Sequence, residues 1–313
     1  MTKVDLITGF LGSGKTTFLK MYVNYLLSKG LKVGIIENDY GAVNVDMMLL
    51  SELMDSGCEV ETIAGACDLD CHKRRFKTKL IAMGMQNFDR VVIEPSGIFD
   101  ADEFFDILHE EPLDRWFEIG SVIAIADVLT DDNTSDNSSY ISASQTANAG
   151  VVIFSKTQLT DKNRINAKIK EINSALKKAK CERILNADEI IAKDWNDFNA
   201  DDFERIRTCG YKIHDYEKSN TEDTYNSVYF LNQSFTADRI KAISEKLFSN
   251  KNLGKIYRIK GFFKENGQWF ELNATENQFD LQPIKIGQNV VIIIGEKLDE
   301  EKIRKEMNYG TKN

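Results

Sequence analysis

The most informative stretch of the sequence is Gly9-Phe10-Leu11-Gly12-Ser13-Gly14-Lys15-Thr16. It matches G-x-x-x-x-G-K-[ST], follows the apolar run Val4–Thr8 and precedes apolar residues at helical spacing over Thr16–Ser28. A strand, a glycine-rich loop and a helix in this order predict a loop that binds nucleotide phosphates, because its backbone N–H groups and the helix N-terminus attract anions. An accidental match is the alternative, and it does not explain the order of the three features.

The residues of this loop have distinct expected roles. The side chain of Lys15 is expected to reach the outer phosphates, and the hydroxyl of Thr16 to bind Mg²⁺. The turn that holds the phosphates comprises Gly9, Gly12, Ser13 and Gly14.

Carboxylates follow two further apolar runs. Glu94 ends the run Arg90–Glu94, and we expect it to hold Mg²⁺ while Gly97 offers a backbone N–H to the γ-phosphate. Glu37 and Asp39 follow another run, where they are candidates for the magnesium shell or for positioning the attacking water. The alternative is that these carboxylates lie in solvated turns.

Short apolar runs alternate with helical patterns in the first two thirds of the chain. This alternation predicts a mainly parallel α/β sheet with helices on both faces, as in P-loop nucleotide-hydrolysing proteins. The predicted strands are Val4–Thr8, Lys32–Glu37, Arg90–Glu94, Ser121–Ala126 and Gly150–Phe154, and the predicted helices are Thr16–Ser28, Arg74–Gln86 and Asp161–Lys178.

A polar stretch divides the chain into two predicted domains. We expect a nucleotide-binding domain over 1–217, a linker over 218–227 and a smaller α+β domain over 228–313. A second polar stretch, Asp131–Ser139, is predicted to be a loop inside the first domain. The C-terminal pattern predicts strands Val228–Phe235, Lys255–Phe263, Gln268–Asn273 and Val290–Glu296 with helices Ala237–Ser249 and Asp299–Met307.

Charge and hydropathy exclude several classes of protein. The formal net charge of −9 over 313 residues disfavours binding to nucleic acid or to anionic membranes. No apolar run reaches the ~18–20 residues that span a bilayer, and the chain starts without a signal-peptide pattern. We therefore expect a cytoplasmic protein whose cysteines form no disulfides.

Six segments together resemble the CobW-type GTPases, relatives of the nickel-insertion GTPases of urease and hydrogenase. They read VDLITGFLGSGKTTFL, IIENDYGAVNVDMMLL, DRVVIEPSGIFD and, near the end, IYRIKGFF, WFELN and VVIIIGE. The resemblance implies a GTP-dependent metallochaperone or metalloenzyme-maturation factor that uses Mg²⁺, meets a client metalloenzyme and dimerises on binding nucleotide. It implies nucleotide contacts by Gly12, Gly14, Lys15, Thr16 and Thr17, with Glu37, Asp39 and Glu94 at the γ-phosphate end.

The sequence departs from this family where the base is recognised. The family usually carries N-K-x-D after its last core strand, and this chain has Ser155-Lys156-Thr157-Gln158. An aspartate accepts two hydrogen bonds from guanine, whereas Gln158 offers one acceptor and an opposing NH₂ group. We expect Ser155, Lys156 and Gln158 to contact a purine, with GTP or ATP as the nucleotide.

The metal motif also differs. The family generally carries C-x-C-C, whereas this chain has Gly65-Ala66-Cys67-Asp68-Leu69-Asp70-Cys71-His72, with Cys58 upstream. Three thiolates and an imidazole, from Cys58, Cys67, Cys71 and His72, would suit Zn²⁺ or Co²⁺. Asp68 or Asp70 could replace one of these ligands. The alternative is that these thiols only pack in the interior or lie exposed.

Three functions remain open from the sequence. The first is a nucleotide-switched metallochaperone that hydrolyses GTP slowly without a partner. The second keeps the switch but acts as an activator of a metalloenzyme or corrinoid enzyme, without metal transfer. The third is a small-molecule kinase, which the absence of an arginine-rich lid pattern disfavours.

Overall fold

A computed structural model describes residues 1–38, 53, 58–63, 69–130, 135–218, 225–285 and 287–308. The chain divides into two compact units, Met1–Ser219 and Asn220–Asn313. None of the helices in the described ranges combines the length and hydrophobicity needed to cross a membrane.

The first unit contains a parallel sheet, which confirms the predicted α/β fold. Its strand order is β3-β2-β4-β1-β5-β6-β7, and every pair of neighbours is parallel. The strands are β1 Thr2–Thr8, β2 Val33–Asn38, β3 Glu59–Ile63, β4 Arg90–Pro95, β5 Phe117–Asp127, β6 Val151–Ser155 and β7 Ile190–Ile191.

Helices cover both faces of this sheet, which is why its central strands are apolar on both sides. One apolar cluster packs Phe18 and Leu26 of α1 and Ile206 of α7 against the sheet, and a second packs Phe76 of α2 and Ile172 of α6 against the opposite face. The helices of this unit are α1 Lys15–Ser28, α2 Leu69–Gly84, α3 Ala101–Leu108, α4 Leu113–Trp116, α5 Asp136–Ala147, α6 Lys162–Lys178 and α7 Ala200–Arg207.

Helix α5 corrects part of the predicted loop Asp131–Ser139, because it begins at Asp136, while residues 131–134 lie outside the described residues. Ser135 caps the helix: its side chain accepts from the Ser138 backbone N–H at 3.0 Å, and the Ser138 side chain accepts from the Ser135 N–H. Serine and asparagine favour turns when exposed, so their composition predicted a loop. Here the capping box starts a helix whose polar side chains are buried from Ser138 onward.

The second unit is an antiparallel sheet with two helices, as predicted for a smaller α+β domain. The strand order is β11-β10-β9-β12-β8, and an apolar cluster including Phe230, Ile240, Phe263 and Ile303 joins the sheet to both helices. The elements are β8 Tyr225–Leu231, α8 Ala237–Ser249, β9 Lys255–Glu265, β10 Gln268–Thr275, β11 Gln278–Ile284, β12 Val290–Glu296 and α9 Glu300–Asn308.

The first strand of this unit begins earlier than the sequence predicted. Residues 225–227 belong to β8 rather than to the predicted linker 218–227, and the strand ends at Leu231 rather than at Phe235. Strand β8 lies at the edge of the sheet, and its side chains alternate between more exposed and more buried positions. Polar residues occupy the more exposed positions at its start, so the start of the strand has the composition of a loop.

Candidate functional site

The carboxyl ends of the parallel strands meet at one edge of the first sheet. Strand β1 lies in the middle, between β4 and β5, and the phosphate-binding loop leads from its end into α1. Ligands of such open sheets bind at this edge, where the chain connections leave the central strand in opposite directions.

Within the phosphate-binding loop, Lys15 is held by the loop itself. Its Nζ donates a hydrogen bond to the carbonyl oxygen of Gly9 at 3.0 Å, and its side chain is buried. Gly14 precedes the helix with a φ of 98°, a left-handed conformation that favours glycine. The loop is therefore already closed around the position of its lysine.

Thr16 and Glu94, the predicted magnesium residues, contact each other. The hydroxyl of Thr16 donates to Glu94 Oε1 at 2.7 Å. Glu37 is paired with Glu94 in the register between β2 and β4, and both carboxylates are at most 5% exposed. Two neighbouring carboxylates beside a hydroxyl form an oxygen-rich site, which is the chemistry that Mg²⁺ prefers.

Buried hydroxyl groups around the loop also fit a polar ligand. In the part of the chain that the structure describes, the hydroxyls of Thr8, Ser13 and Ser155 are buried and make no hydrogen bond. Buried polar atoms of this kind are rare and call for a specific explanation, such as a ligand. The residues present therefore fit a nucleotide with its metal ion.

Gly97 lies directly against the phosphate-binding loop. A Cβ atom at Gly97 would be 2.6 Å from the backbone nitrogen of Leu11, so no larger residue fits without moving the loop. The carbonyl oxygen of Gly97 accepts a hydrogen bond from Gln145 Nε2 of α5 at 3.1 Å. No sequence motif pointed to Gln145, since a loop was predicted over the start of its helix.

The predicted base-recognition segment, residues 155–158, has one feature that the sequence did not reveal. Lys156 Nζ forms a salt bridge with Asp127 Oδ2 at 2.6 Å, and both side chains are largely buried. Asp127 ends β5, one residue beyond the predicted strand. Ser155 is buried at the end of β6, whereas Gln158 is exposed in a short 3-10 helix.

Trp195 borders the phosphate-binding loop on the same side. A Cβ atom at Gly14 would be 3.0 Å from its ring, and its indole N–H donates to the carbonyl oxygen of Phe154 at 3.1 Å. No motif in the sequence pointed to this residue.

The predicted transition-metal ligands are only partly visible. Cys58 lies in the apolar cluster that includes α1, and burial raises the pKa of its thiol to about 11. Burial thus disfavours the thiolate that a metal requires. Cys67 and Asp39 lie outside the described residues. Cys71 and His72 lie in the first turn of α2, where the structure describes their backbone but not their side chains. Among the side chains that are described, no three potential ligands cluster.

Comparisons with known proteins agree with this architecture. The profile of the CobW/HypB/UreG nucleotide-binding domain matches residues 3–182, and that of the cobalamin synthesis protein cobW C-terminal domain matches residues 226–309.

Curated relatives are similar over part or most of the chain. The zinc chaperone YjiA of Escherichia coli is 29% identical over 179 residues, which are 55% of this chain and 54% of YjiA. The zinc chaperone YeiR of the same organism is 29% identical over 163 residues, 51% of this chain and 48% of YeiR. The chain thus spans about half the length of these two relatives.

Two further comparisons cover more of the chain at lower identity. The zinc-regulated GTPase metalloprotein activator 1 of Schizosaccharomyces pombe is 21% identical over 318 residues, 90% of this chain and 77% of the activator. The solved structure of zinc-bound YjiA from Escherichia coli aligns over 99% of both chains at 18% identity, with a TM-score of 0.37.

Proposed function

The chain belongs to the CobW/HypB/UreG family of P-loop GTPases, and from this premise we propose that it is a nucleotide-hydrolysing switch that acts in metal delivery or metalloenzyme maturation. In this proposal Mg²⁺ and GTP are its cofactors, and its partner is a client metalloenzyme. Nucleotide binding also promotes dimerisation.

The observation that carries the switch is the hydrogen bond between Thr16 and Glu94. It joins the first turn of α1 to the end of β4, directly before the loop 95–100. A ligand that binds at Thr16 and Glu94 therefore acts on the start of that loop. Loops of this kind order on the γ-phosphate side of a nucleotide and relax after hydrolysis.

The residues of the site divide the chemical work. Lys15 and the loop N–H groups bind the phosphates, while Thr16, Glu94 and Glu37 provide oxygen ligands and orient the attacking water. A magnesium ion bound there neutralises charge on the phosphates. In related reactions an arginine from a partner protein stabilises the charge that develops in the transition state. The residues of this scheme include no such arginine, so we propose that hydrolysis is slow without a partner.

Purine binding is supported by the salt bridge between Lys156 and Asp127. The bridge fixes the ammonium group, which leaves the aliphatic stem of Lys156 to pack on the face of a base. Because Gln158 replaces the aspartate that selects guanine, we propose binding of GTP with weakened discrimination against ATP.

Metal delivery is proposed from the relatives and from the position of the candidate ligands. Two relatives are zinc chaperones and another is a zinc-regulated activator of metalloproteins. In the sequence of this chain Cys67 comes between β3 and α2, and Cys71 and His72 belong to the first turn of α2. We propose that they bind Zn²⁺ or Co²⁺ in a manner that depends on the nucleotide.

The second candidate is an activator that transfers no metal. The burial of Cys58 favours it, since one of the four proposed ligands lies in an apolar cluster. In that case the nucleotide switch operates on the client alone.

Titration calorimetry with non-hydrolysable GTP and ATP analogues, with and without Mg²⁺, tests the proposed nucleotide chemistry. We expect magnesium-dependent binding of the GTP analogue and slow release of inorganic phosphate from GTP. A phosphorylated small molecule in place of free phosphate would identify a kinase instead. Failure to bind either analogue would overturn the proposal.

A further inference from the structure

Helix α5 holds the loop 95–100, which also lies against the phosphate-binding loop. Its contacts fall in the middle of the loop, at Gly97, and at the end of the loop, at Asp100. The residues that make them are Tyr140, Ser144 and Gln145, which follow one another within two turns of the helix.

The first contact is made by Gln145. Its side chain is 2% exposed, and its Nε2 donates to the carbonyl oxygen of Gly97 at 3.1 Å. On its other side, Gly97 has no space for a Cβ because the backbone of Leu11 is too close. Gly97 thus contacts both α5 and the phosphate-binding loop.

The second contact is centred on Asp100, the N-cap of α3. Its carboxylate accepts hydrogen bonds from Ser144 at 2.7 Å, from Tyr140 at 2.6 Å and from Tyr216 at 2.8 Å. The Ser144 hydroxyl in turn accepts from the backbone N–H of Ala101 at 3.1 Å. The end of the loop is therefore anchored to the same helix as its middle.

We propose that Gln145 is a positioning residue for nucleotide hydrolysis, which holds Gly97 at the distance from the phosphate-binding loop that the reaction requires. This inference rests on the proposed function. Its physical basis is that the alignment of reacting groups contributes strongly to rate, so a shift of about 1 Å can cost up to about a hundredfold. Asp100 and Ser144 keep the loop folded when Gln145 is altered, so the effect of Gln145 can be measured in a folded protein.

The test compares Gln145→Met with Thr146→Val in the full chain. Methionine has a similar size but donates no hydrogen bond, whereas Thr146 is a buried neighbour whose hydroxyl bonds only to carbonyls of its own helix, at Ser142 and Ala143. We expect Gln145→Met to lower kcat by about tenfold or more, with GDP affinity changed less than about threefold. Thr146→Val is expected to retain the wild-type kcat.

A second variant separates positioning from a general loss of packing. In Gln145→Glu a carboxylate cannot donate to Gly97, but a buried carboxyl group has a raised pKa and donates once protonated. Its activity relative to wild type is therefore expected to rise as pH falls. If Gln145→Met does not fold, the pH profile of Gln145→Glu tests the inference instead, and a relative activity that does not change with pH would overturn it.

Hydrogen exchange in nucleotide-free protein gives a readout that does not depend on activity. The amides of 96–101 are expected to exchange faster in Gln145→Met than in wild type, and at the wild-type rate in Thr146→Val. Wild-type kcat together with wild-type exchange in Gln145→Met would overturn the inference. A wild-type protein that hydrolyses no nucleotide would instead overturn the proposed function. In that case the hydrogen exchange of the amides of 96–101 would still show whether Gln145 holds this loop in place.

Discussion

The Thr16 hydroxyl donates a hydrogen bond of 2.7 Å to the carboxylate of Glu94, a residue 78 positions further along the chain. The two residues end up together because β4 lies beside β1 and both strands end at the same edge of the sheet. A hydroxyl and a carboxylate at this point are ligands suited to Mg²⁺. We therefore propose that the hydrolysis site is centred on this pair.

Replacing Glu94 with glutamine is expected to slow hydrolysis far more than it weakens binding. The amide keeps the shape of the side chain but removes the charge, so we expect kcat to fall by about a hundredfold, with GDP affinity within about threefold of wild type. Phosphate release and calorimetry measure the two effects. Glu118→Gln is the matched control, since Glu118 is an exposed glutamate at the N-terminal end of β5, away from the carboxyl ends of the strands. Equal rates in the Glu94 variant and wild type would remove Glu94 from the chemistry.

Restoring an aspartate at the base-recognition segment is expected to restore guanine selectivity. A carboxylate at 158 accepts two hydrogen bonds from guanine, so Gln158→Asp should raise the preference for the GTP analogue over the ATP analogue by about ten- to a hundredfold. Calorimetric affinities for both analogues provide the ratio.

Leu159→Asp is the control for this experiment, because it adds the same charge at the next, exposed position. We expect it to leave the ratio unchanged. If both variants change the ratio equally, net charge and not base recognition explains the effect.

The cysteines are expected to fall into two groups when each is changed to serine. Cys67→Ser and Cys71→Ser should lower the zinc content, whereas Cys58→Ser should keep it and lower the free energy of unfolding by about 1–3 kcal/mol, since a hydroxyl then lies in an apolar cluster. Elemental analysis and urea unfolding measure the two properties. Cys181→Ser, at another buried cysteine, controls for loss of packing. Loss of zinc in Cys58→Ser alone would place the metal in the interior instead.

Glu204 gives a pH dependence with a definite sign. Hydrogen bonds from Arg207 and Tyr25 lower the pKa of Glu204 to about 2, from 4.5. A lowered pKa in the folded state means that the carboxylate stabilises the protein above pH 4.5, and that this stabilisation is lost as pH falls towards about 2.

The check is the urea midpoint of wild type and Glu204→Gln across this pH range. The wild type is expected to be the more stable at neutral pH, by a small margin because the pair is exposed, and the difference should vanish in acid. A difference that grows as pH falls would contradict the assigned pKa.

The sequence predicted the central site because its signals are local. The motif Gly9–Thr16 leads from a strand directly into the first turn of a helix, and Glu94 lies at the end of an apolar strand. The parallel order of the strands then brings these residues together without further information.

The remaining contacts could not be predicted because they depend on tertiary packing. Gln145 lies on a serine-rich helix whose composition resembles a loop until it is buried, and Asp127 finds Lys156 only when β5 and β6 pair. Trp195 meets Gly14 across an even longer separation in sequence. Contacts of this kind leave no periodic pattern in the chain.

The most direct test of the proposed switch is the affinity of the full-length protein for Zn²⁺ in two nucleotide states. Chelator competition would be measured with a non-hydrolysable GTP analogue and Mg²⁺, and again with GDP and Mg²⁺. Coupling between two sites is typically worth about 5–150-fold in affinity, so we expect the zinc dissociation constant to differ at least about fivefold between the states. Equal zinc affinity in both states, or no zinc binding in either, would contradict nucleotide-controlled metal delivery.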